Sequence, residues 1–165
     1  MYMVQYIDLT SDFKDHLNVL FCDNLDDIYR DDGCAISVSN VMKVPSEDAV
    51  FKVIVAGGRD FSNYEMLRQR LDYLLQNQQF VVIVSGAARG ADSLGERYAK
   101  ERGLFIQQFP ANWNRYGKKA GYIRNKEMAQ YANGLVAFWD GSSRGTKLMI
   151  ELAKQYQLPM RVICY

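Results

Sequence analysis

The stretch Asp140–Glu151, D-G-S-S-R-G-T-K-L-M-I-E, follows the apolar run Gly134–Trp139 and opens an amphipathic helix. A strand that ends in a Gly- and Ser-rich turn before a helix is suited to binding phosphate. The free N–H groups of the first helical turn and the helix dipole both favour an anion there. Glycine lets the backbone approach closely, and the hydroxyls can donate hydrogen bonds. The expected contacts are Gly141, Ser142, Ser143, Arg144, Gly145 and Thr146.

Two further glycine junctions follow apolar runs, A-G-G-R-D-F at Ala56–Phe61 and S-G-A-A-R-G-A-D at Ser85–Asp92. One glycine turn after a strand is ordinarily only a turn. Here all three junctions carry an arginine, whose guanidinium fork matches phosphate oxygens. The repetition predicts a nucleotide-type anion as ligand. The additional candidate ligand-binding residues are Gly57, Gly58, Arg59, Asp60, Gly86, Arg89 and Asp92.

Apolar runs and amphipathic segments alternate along the main part of the chain. The runs are Phe51–Ala56, Phe80–Ser85, Leu104–Phe109, Gly134–Trp139 and Arg161–Cys164. This alternation predicts an α/β fold, a Rossmann-like parallel sheet of order 3-2-1-4-5 with helices on both faces. In that order the loops at Gly57 and Gly141 flank one crevice, and the loop at Gly86 lies beside it.

Helix boundaries have their own signals. Ser62 and Glu65 form an S-x-x-E pattern that predicts a capping box, and Gly103 predicts a helix end. Residues 1–50 lack phosphate-loop patterns and carry the acidic run Asp23–Asp32. We therefore expect a small ordered N-terminal extension over residues 1–50 and a nucleotide-binding domain over residues 51–165.

Composition excludes several classes of function. The formal net charge of +1 over 165 residues argues against a nucleic-acid partner held by bulk charge. Three cysteines, Cys22, Cys34 and Cys164, form no metal or disulfide pattern, which favours a reducing cytoplasm. The only histidine, His16, is distant in sequence from the glycine loops, which argues against a histidine triad or zinc site. No membrane segment, metal or cofactor is expected.

Other side chains outside the glycine loops are candidates for the same crevice. Arg124 and Asn125 lie near the start of a predicted helix, and Trp113 and Tyr116 lie in the polar loop before it. The two aromatic rings could stack on a base or fold over the core. Asp60 and Asp92 could each cap a helix or pair with an arginine, and capping is favoured for Asp60. Either could instead accept hydrogen bonds from ribose hydroxyls or act as a general base.

The chain from residue 51 to 164 resembles the SLOG superfamily, most closely its YspA-related branch. The resemblance rests on five motifs, G-G-R-D-F, G-A-A-R-G-A-D, F-P-A-N-W-N-R-Y-G-K-K-A-G, R-N-K-E-M and S-R-G-T. The second is similar to a segment of DprA, the DNA-processing member. The last two are similar to motifs of the Lonely Guy phosphoribohydrolases, which cleave the N-glycosidic bond of nucleoside 5′-monophosphates. Other SLOG domains bind nucleotide-derived signals.

One difference from the Lonely Guy motif decides which function is ranked first. Lonely Guy enzymes pair the arginine matched by Arg124 with a glutamate two residues after the G-T pair, where this chain has Leu148. The resemblance thus favours a nucleotide-binding sensor or sequestering protein, expected to dimerise. The alternative is an N-glycosidase whose catalytic residues would be Arg124, Asp92 and Glu151. DprA-like binding of single-stranded DNA ranks below both.

Overall fold

The computed structural model describes residues 1–9, 15–29 and 36–165. Cys34 and residues 30–32 of the acidic run lie outside these ranges. The N-terminal residues form a three-stranded antiparallel sheet of order β2-β1-β3. Its strands are β1 (Tyr2–Asp8), β2 (Leu17–Cys22) and β3 (Ile36–Lys43). Short 3-10 turns lie at Leu25–Tyr29, between β2 and β3, and at Glu47–Ala49, after β3.

The main sheet has five parallel strands: β4 (Val50–Gly57), β5 (Phe80–Ser85), β6 (Phe105–Gln108), β7 (Gly134–Trp139) and β8 (Met160–Cys164). Their order is β6-β5-β4-β7-β8, which confirms the predicted order 3-2-1-4-5. The crossover helices are α1 (Tyr64–Leu75), α2 (Ala91–Arg102), α4 (Ala120–Tyr131) and α5 (Arg144–Gln155). The loop before α4 contains the short helix α3 (Trp113–Tyr116) and a 3-10 turn, Gly117–Lys119.

Successive residues of β4 point to opposite faces of the sheet, and each face is covered by helices. Val53 and Val55 pack in one apolar cluster with Leu67 and Leu71 of α1. Ile54 belongs to the other cluster, which includes Met128 of α4 and Met149 of α5. Continuous apolar strands are what a sheet buried on both faces requires, and the Rossmann-like fold is confirmed.

Side-chain amides join the N-terminal sheet to the edge strand β6. The Gln107 and Gln108 Oε1 atoms accept hydrogen bonds from the N–H groups of Val19 and Leu17, at 2.7 and 2.8 Å. Gln5 Oε1 accepts from the N–H of Ile106 at 2.7 Å. These bonds satisfy backbone donors at an edge that would otherwise be open to pairing with another chain.

Two helix boundaries test the capping signals. The S-x-x-E capping box is not formed: α1 begins at Tyr64, and Asn63 is the N-cap, accepting the N–H of Met66 at 3.0 Å. Glu65 instead forms an ion pair with Arg68 at 2.7 Å. The α2 helix ends at Gly103 with φ +64°, as predicted. Within the described ranges, no helix has the length and apolar character needed to cross a membrane.

Candidate functional site

A cavity of about 390 Å³ opens where the carboxyl ends of β4 and β7 meet the start of α5; we call it the first cavity. All three glycine junctions contribute to it, because right-handed crossovers bring these loops to one edge of the sheet. The residues that were predicted and that line it are Gly57, Gly58, Arg59, Asp60, Asp92, Arg124, Asn125, Ser143, Gly145 and Thr146.

An adjoining second cavity of about 400 Å³ lies between the loop after β5 and the loop after β6. Arg59, Ala88 and Arg124 line both cavities and so form their common wall. The predicted residues Gly86, Arg89 and Trp113 line the second cavity rather than the first. Its remaining lining residues are His16, Ala87, Pro110 and Ala111.

The other predicted residues lie apart from both cavities. Tyr116 lines a smaller cavity of about 190 Å³ that also touches Arg124. Gly141, Ser142 and Arg144 are exposed in the turn before α5 and at its first residue. Glu151 is exposed on α5, whose opposite face buries Met149, Ile150 and Leu152 in the core. Glu151 is not among the residues that line either cavity.

Arg124 is held in the common wall by the loop after β5. Its Nη1 donates a hydrogen bond to the carbonyl oxygen of Gly86 and lies 4.0 Å from Asp92 Oδ2. Both side chains are largely buried, with 14% of Arg124 and 8% of Asp92 exposed. A Cβ on Gly86 would lie 2.6 Å from Arg124 Cζ and 2.7 Å from Asp92 Oδ2. Glycine at this position therefore makes room for the guanidinium and its partner carboxylate.

Burial changes the ionisation of both partners. Burial raises the pKa of Asp92 from 3.8 to about 6, although Arg124 and backbone hydrogen bonds at Ala88 and Gly86 oppose the rise. Burial lowers the pKa of Arg124; the Asp92 carboxylate opposes this, and the positive charge of Arg59 adds to it. Arg124 Nε is also buried with no hydrogen-bond partner among the described residues. The common wall thus holds two guanidinium groups that repel each other.

Several hydrogen-bond donors of the turn before α5 are already bonded within the turn. Asp140 Oδ1 accepts the N–H groups of Ser142 and Ser143 at 2.9 and 2.7 Å, and Asp140 Oδ2 accepts the Ser142 hydroxyl at 2.8 Å. These bonds hold the pKa of Asp140 below its ordinary value. The donors expected from Ser142 and the backbone of Ser143 are therefore already occupied, because an aspartate before the turn reaches them first.

What remains at the start of α5 is a smaller set of donors. Ser143 is the N-cap: its Oγ accepts the N–H of Thr146 at 3.5 Å and lies 2.9 Å from Thr146 Oγ1. The N–H groups of Arg144 and Gly145, in the first turn, have no intrahelical acceptor. A Cβ on Gly145 would meet nothing within 4 Å. This position faces open space, so a side chain there would extend into the first cavity rather than against surrounding protein.

The two cavities differ in charge. The first is lined by the carboxylates of Asp60, Asp92 and Asp140 and by the guanidinium groups of Arg59 and Arg124. The second is lined by three arginines, and the lining residues that the structure describes include no carboxylate. Among residues 1–9, 15–29 and 36–165, no group of three or more His, Cys, Asp or Glu side chains is arranged to hold a metal ion.

Tyr165 and His16 are among the lining residues that lay outside the sequence predictions. Tyr165 lines the first cavity; its ring centroid is 4.7 Å from that of Phe61, and a Cβ on Gly58 would contact its hydroxyl. Tyr165 directly follows β8, the neighbour of β7, so the rule that ligands bind at the carboxyl edge could have identified it. His16 reaches the second cavity only through packing of the N-terminal sheet, for which the sequence carries no local signal.

Comparison with known proteins identifies relatives. The Gene 61 protein of Mycobacterium phage D29 is 32% identical over 116 residues, which are 66% of this chain and 93% of the phage protein. The solved structure of DNA processing protein A from Helicobacter pylori, described for its unique single-stranded DNA binding mode, has a TM-score of 0.52 and 20% identity. The match covers 68% of this chain and 64% of that chain, just under two thirds of its length.

The structural likeness corrects one expectation. The near-neutral net charge argued against a nucleic-acid partner, but the similar solved structure is that of a single-stranded DNA-binding protein. That expectation is therefore wrong, because net charge averages over the whole surface and says nothing about local clusters of arginine. A family model for YspA, cpYpsA-related SLOG proteins matches residues 51–116. Together with the phage relative, this match establishes that the chain belongs to the YspA, cpYpsA-related SLOG family.

Proposed function

We propose that the first cavity binds a nucleotide or a nucleotide-derived small molecule, so that the protein acts as a sensor or sequesters its ligand. The observation that carries the proposal is the pairing of Arg124 with the first turn of α5 across one cavity. The N–H groups of Arg144 and Gly145 and the helix dipole favour a phosphate at this turn. The guanidinium of Arg124 supplies charge-assisted donors from the opposite wall.

The carboxylates in the cavity fit the rest of such a ligand. Asp60 and Asp140 are exposed side chains at the rim, and carboxylates accept hydrogen bonds from ribose hydroxyls or base amino groups. The ring of Tyr165 offers an apolar surface beside them. A cavity of about 390 Å³ is within the range of small-molecule sites. An inorganic anion alone would leave the acceptors at Asp60 unused.

A pair of glycine variants tests the proposal. Gly145 is the second residue of α5 and Gly121 the second residue of α4, so Gly145→Leu and Gly121→Leu make the same change at matched helix positions. Gly145→Leu fills the first cavity and should lower the affinity for nucleoside 5′-monophosphates by at least ~10-fold in calorimetry. Gly121→Leu, which lies outside that cavity, should bind within about twofold of the unaltered protein.

The same titrations decide between binding and hydrolysis. Chromatography of the samples would reveal free base and ribose phosphate if the protein cleaved its ligand, and a binding protein returns the nucleotide intact. Undiminished affinity of the Gly145→Leu variant, with its melting temperature unchanged, would place the nucleotide elsewhere.

Binding of single-stranded DNA is the second candidate, favoured by the likeness to DNA processing protein A and by the loop after β6. Trp113 and Tyr116 expose 52% and 39% of their surfaces there, next to Arg115, Lys118 and Lys119. Aromatic rings beside basic side chains suit stacked bases and their phosphates. An oligonucleotide mobility shift that weakens with salt, and that Trp113→Ala with Tyr116→Ala removes, supports this candidate; no shift at low salt excludes it.

A further inference from the structure

We propose that the second cavity is a subsite for a second nucleotide unit, so that the ligand consists of two nucleoside units linked through phosphate. The inference rests on the proposed function and extends it. The first unit places its 5′-phosphate at the start of α5 in the first cavity. The linking phosphate lies at the common wall of Arg59 and Arg124, and the second unit occupies the cavity beyond it.

The second cavity is lined by positively charged side chains. Arg59, Arg89 and Arg124 line it, without a carboxylate among its described lining residues. The Asp92 carboxylate that pairs with Arg124 at 4.0 Å lines the first cavity and is not among the residues that line the second. Three guanidinium groups around a concave space attract an anion with several acceptor oxygens, such as a phosphodiester.

The common wall between the cavities brings two arginines together. Arg59 lowers the pKa of Arg124, which means that the two positive charges lie near enough to repel each other. Both arginines line both cavities, so an anion held at the wall lies beside each of them. A phosphate between the two guanidinium groups would relieve the repulsion and accept hydrogen bonds from both sides of the wall. A mononucleotide with its single phosphate at α5 leaves this position empty.

The far side of the second cavity fits a base. Trp113 lines it and remains 52% exposed, with Pro110 and Ala111 completing an apolar edge. Indole rings are stacking surfaces for bases of any identity. The second cavity, about 400 Å³, is nearly the size of the first, about 390 Å³. Two such spaces, joined at a cationic wall, can therefore hold two units of one ligand.

Calorimetry with two sets of probes tests the inference. Nucleoside 5′-monophosphates probe the first cavity, and the corresponding 5′-phosphorylated, phosphodiester-linked dinucleotides probe both. At constant salt concentration the dinucleotide should bind at least ~10-fold more tightly than its mononucleotide. Arg89→Ala and Trp113→Ala, both at exposed positions, should each remove most of that gain and leave mononucleotide affinity within about twofold. Arg70→Ala, an exposed arginine of α1 outside both cavities, is the matched control and should keep the gain.

The outcomes separate this inference from the function on which it rests. Mononucleotide binding without a gain for the dinucleotide, or a gain that survives both Arg89→Ala and Trp113→Ala, overturns the two-unit ligand and leaves the proposed function standing. Dinucleotide binding that needs Arg89 and Trp113, without measurable mononucleotide binding, supports the two-unit ligand and contradicts a mononucleotide site. A 5′-phosphorylated oligonucleotide of eight residues that binds much more tightly than the dinucleotide would overturn the two-unit limit in favour of a longer strand.

Discussion

Arg124, on α4, is held by the loop after β5 and lines both cavities. Its motif, R-N-K-E-M, indicated a ligand-binding role from sequence, and the structure places it in the common wall. The contribution of Gly86 was harder to predict. A glycine after a strand suggested close approach of the backbone to phosphate, whereas the space beside Gly86 is filled by the Arg124 guanidinium.

Gly86→Ala should therefore act through Arg124. The added Cβ would lie 2.6 Å from Arg124 Cζ, so the guanidinium must move out of the common wall. We expect a loss of nucleotide affinity on the order of 1.5–3 kcal/mol, as for removing a charge-assisted hydrogen bond. Arg124→Ala should lose a similar amount, and the double variant no more than Arg124→Ala alone. Additive losses in calorimetry would show that Gly86 contributes independently of Arg124.

Asp92 gives the fold a definite pH dependence. Its folded-state pKa, about 6, is above the ordinary value of 3.8, so the folded protein binds this proton more tightly than the unfolded chain. The resulting stability is fully present below pH 3.8 and is lost as the pH rises through 6. The Asp92→Asn variant has no carboxyl to titrate at this position, so it does not lose this stability as the pH rises.

Urea denaturation at several pH values measures the effect. Relative to the unaltered protein, the Asp92→Asn variant should become progressively more stable between pH 4 and pH 7, by up to about 3 kcal/mol. The difference between the two proteins, rather than either curve alone, cancels contributions from titrating groups that do not interact with Asp92. A difference that does not change with pH would mean that Asp92 titrates normally in the folded protein.

At the scale of elements, strands and helices follow the sequence pattern, but the hydrogen bonds at the starts of helices do not. Apolar runs and helical spacing located all five parallel strands because burial on both faces leaves no polar alternation. Caps depend instead on which short polar side chain reaches a free N–H first. Asn63 rather than Ser62 caps α1, and Asp140 takes the donors of Ser142 and Ser143. Adjacent residues of equal capping ability cannot be ranked without backbone angles.

The amide contacts between β6 and the N-terminal sheet are another feature without a sequence signal, and they can be tested. Gln107 is buried; its Oε1 accepts the N–H of Val19 and its Nε2 donates to Asn18 Oδ1 at 3.1 Å. Gln107→Leu leaves those half-buried partners unpaired, so the free energy of unfolding should fall by about 1–3 kcal/mol. Gln79→Leu, at an exposed position before β5, should change it by less than about 0.5 kcal/mol. Equal effects in urea denaturation would show that the amide contacts do not stabilise the fold.

At the scale of the whole molecule, topology is what assembles the site. Three loops separated by dozens of residues meet because parallel strands end at one edge, and this could be predicted before any side chain was placed. The position of the N-terminal sheet could not, since it packs through amides and a few apolar residues such as Met3. That placement brings His16 to the second cavity, although the sequence separates it from every glycine loop.

The central claim is that the crevice recognises its ligand through phosphate, and one calorimetric comparison tests it most directly. Each nucleoside 5′-monophosphate is titrated against the parent nucleoside at the same ionic strength. For the nucleotide that binds most tightly, we expect a binding free energy at least ~1.4 kcal/mol more favourable than that of its nucleoside, a factor of about ten in affinity. Arg124→Ala should reduce that difference because the guanidinium faces the phosphate position. Equal affinities of nucleotide and nucleoside for the unaltered protein would contradict the account.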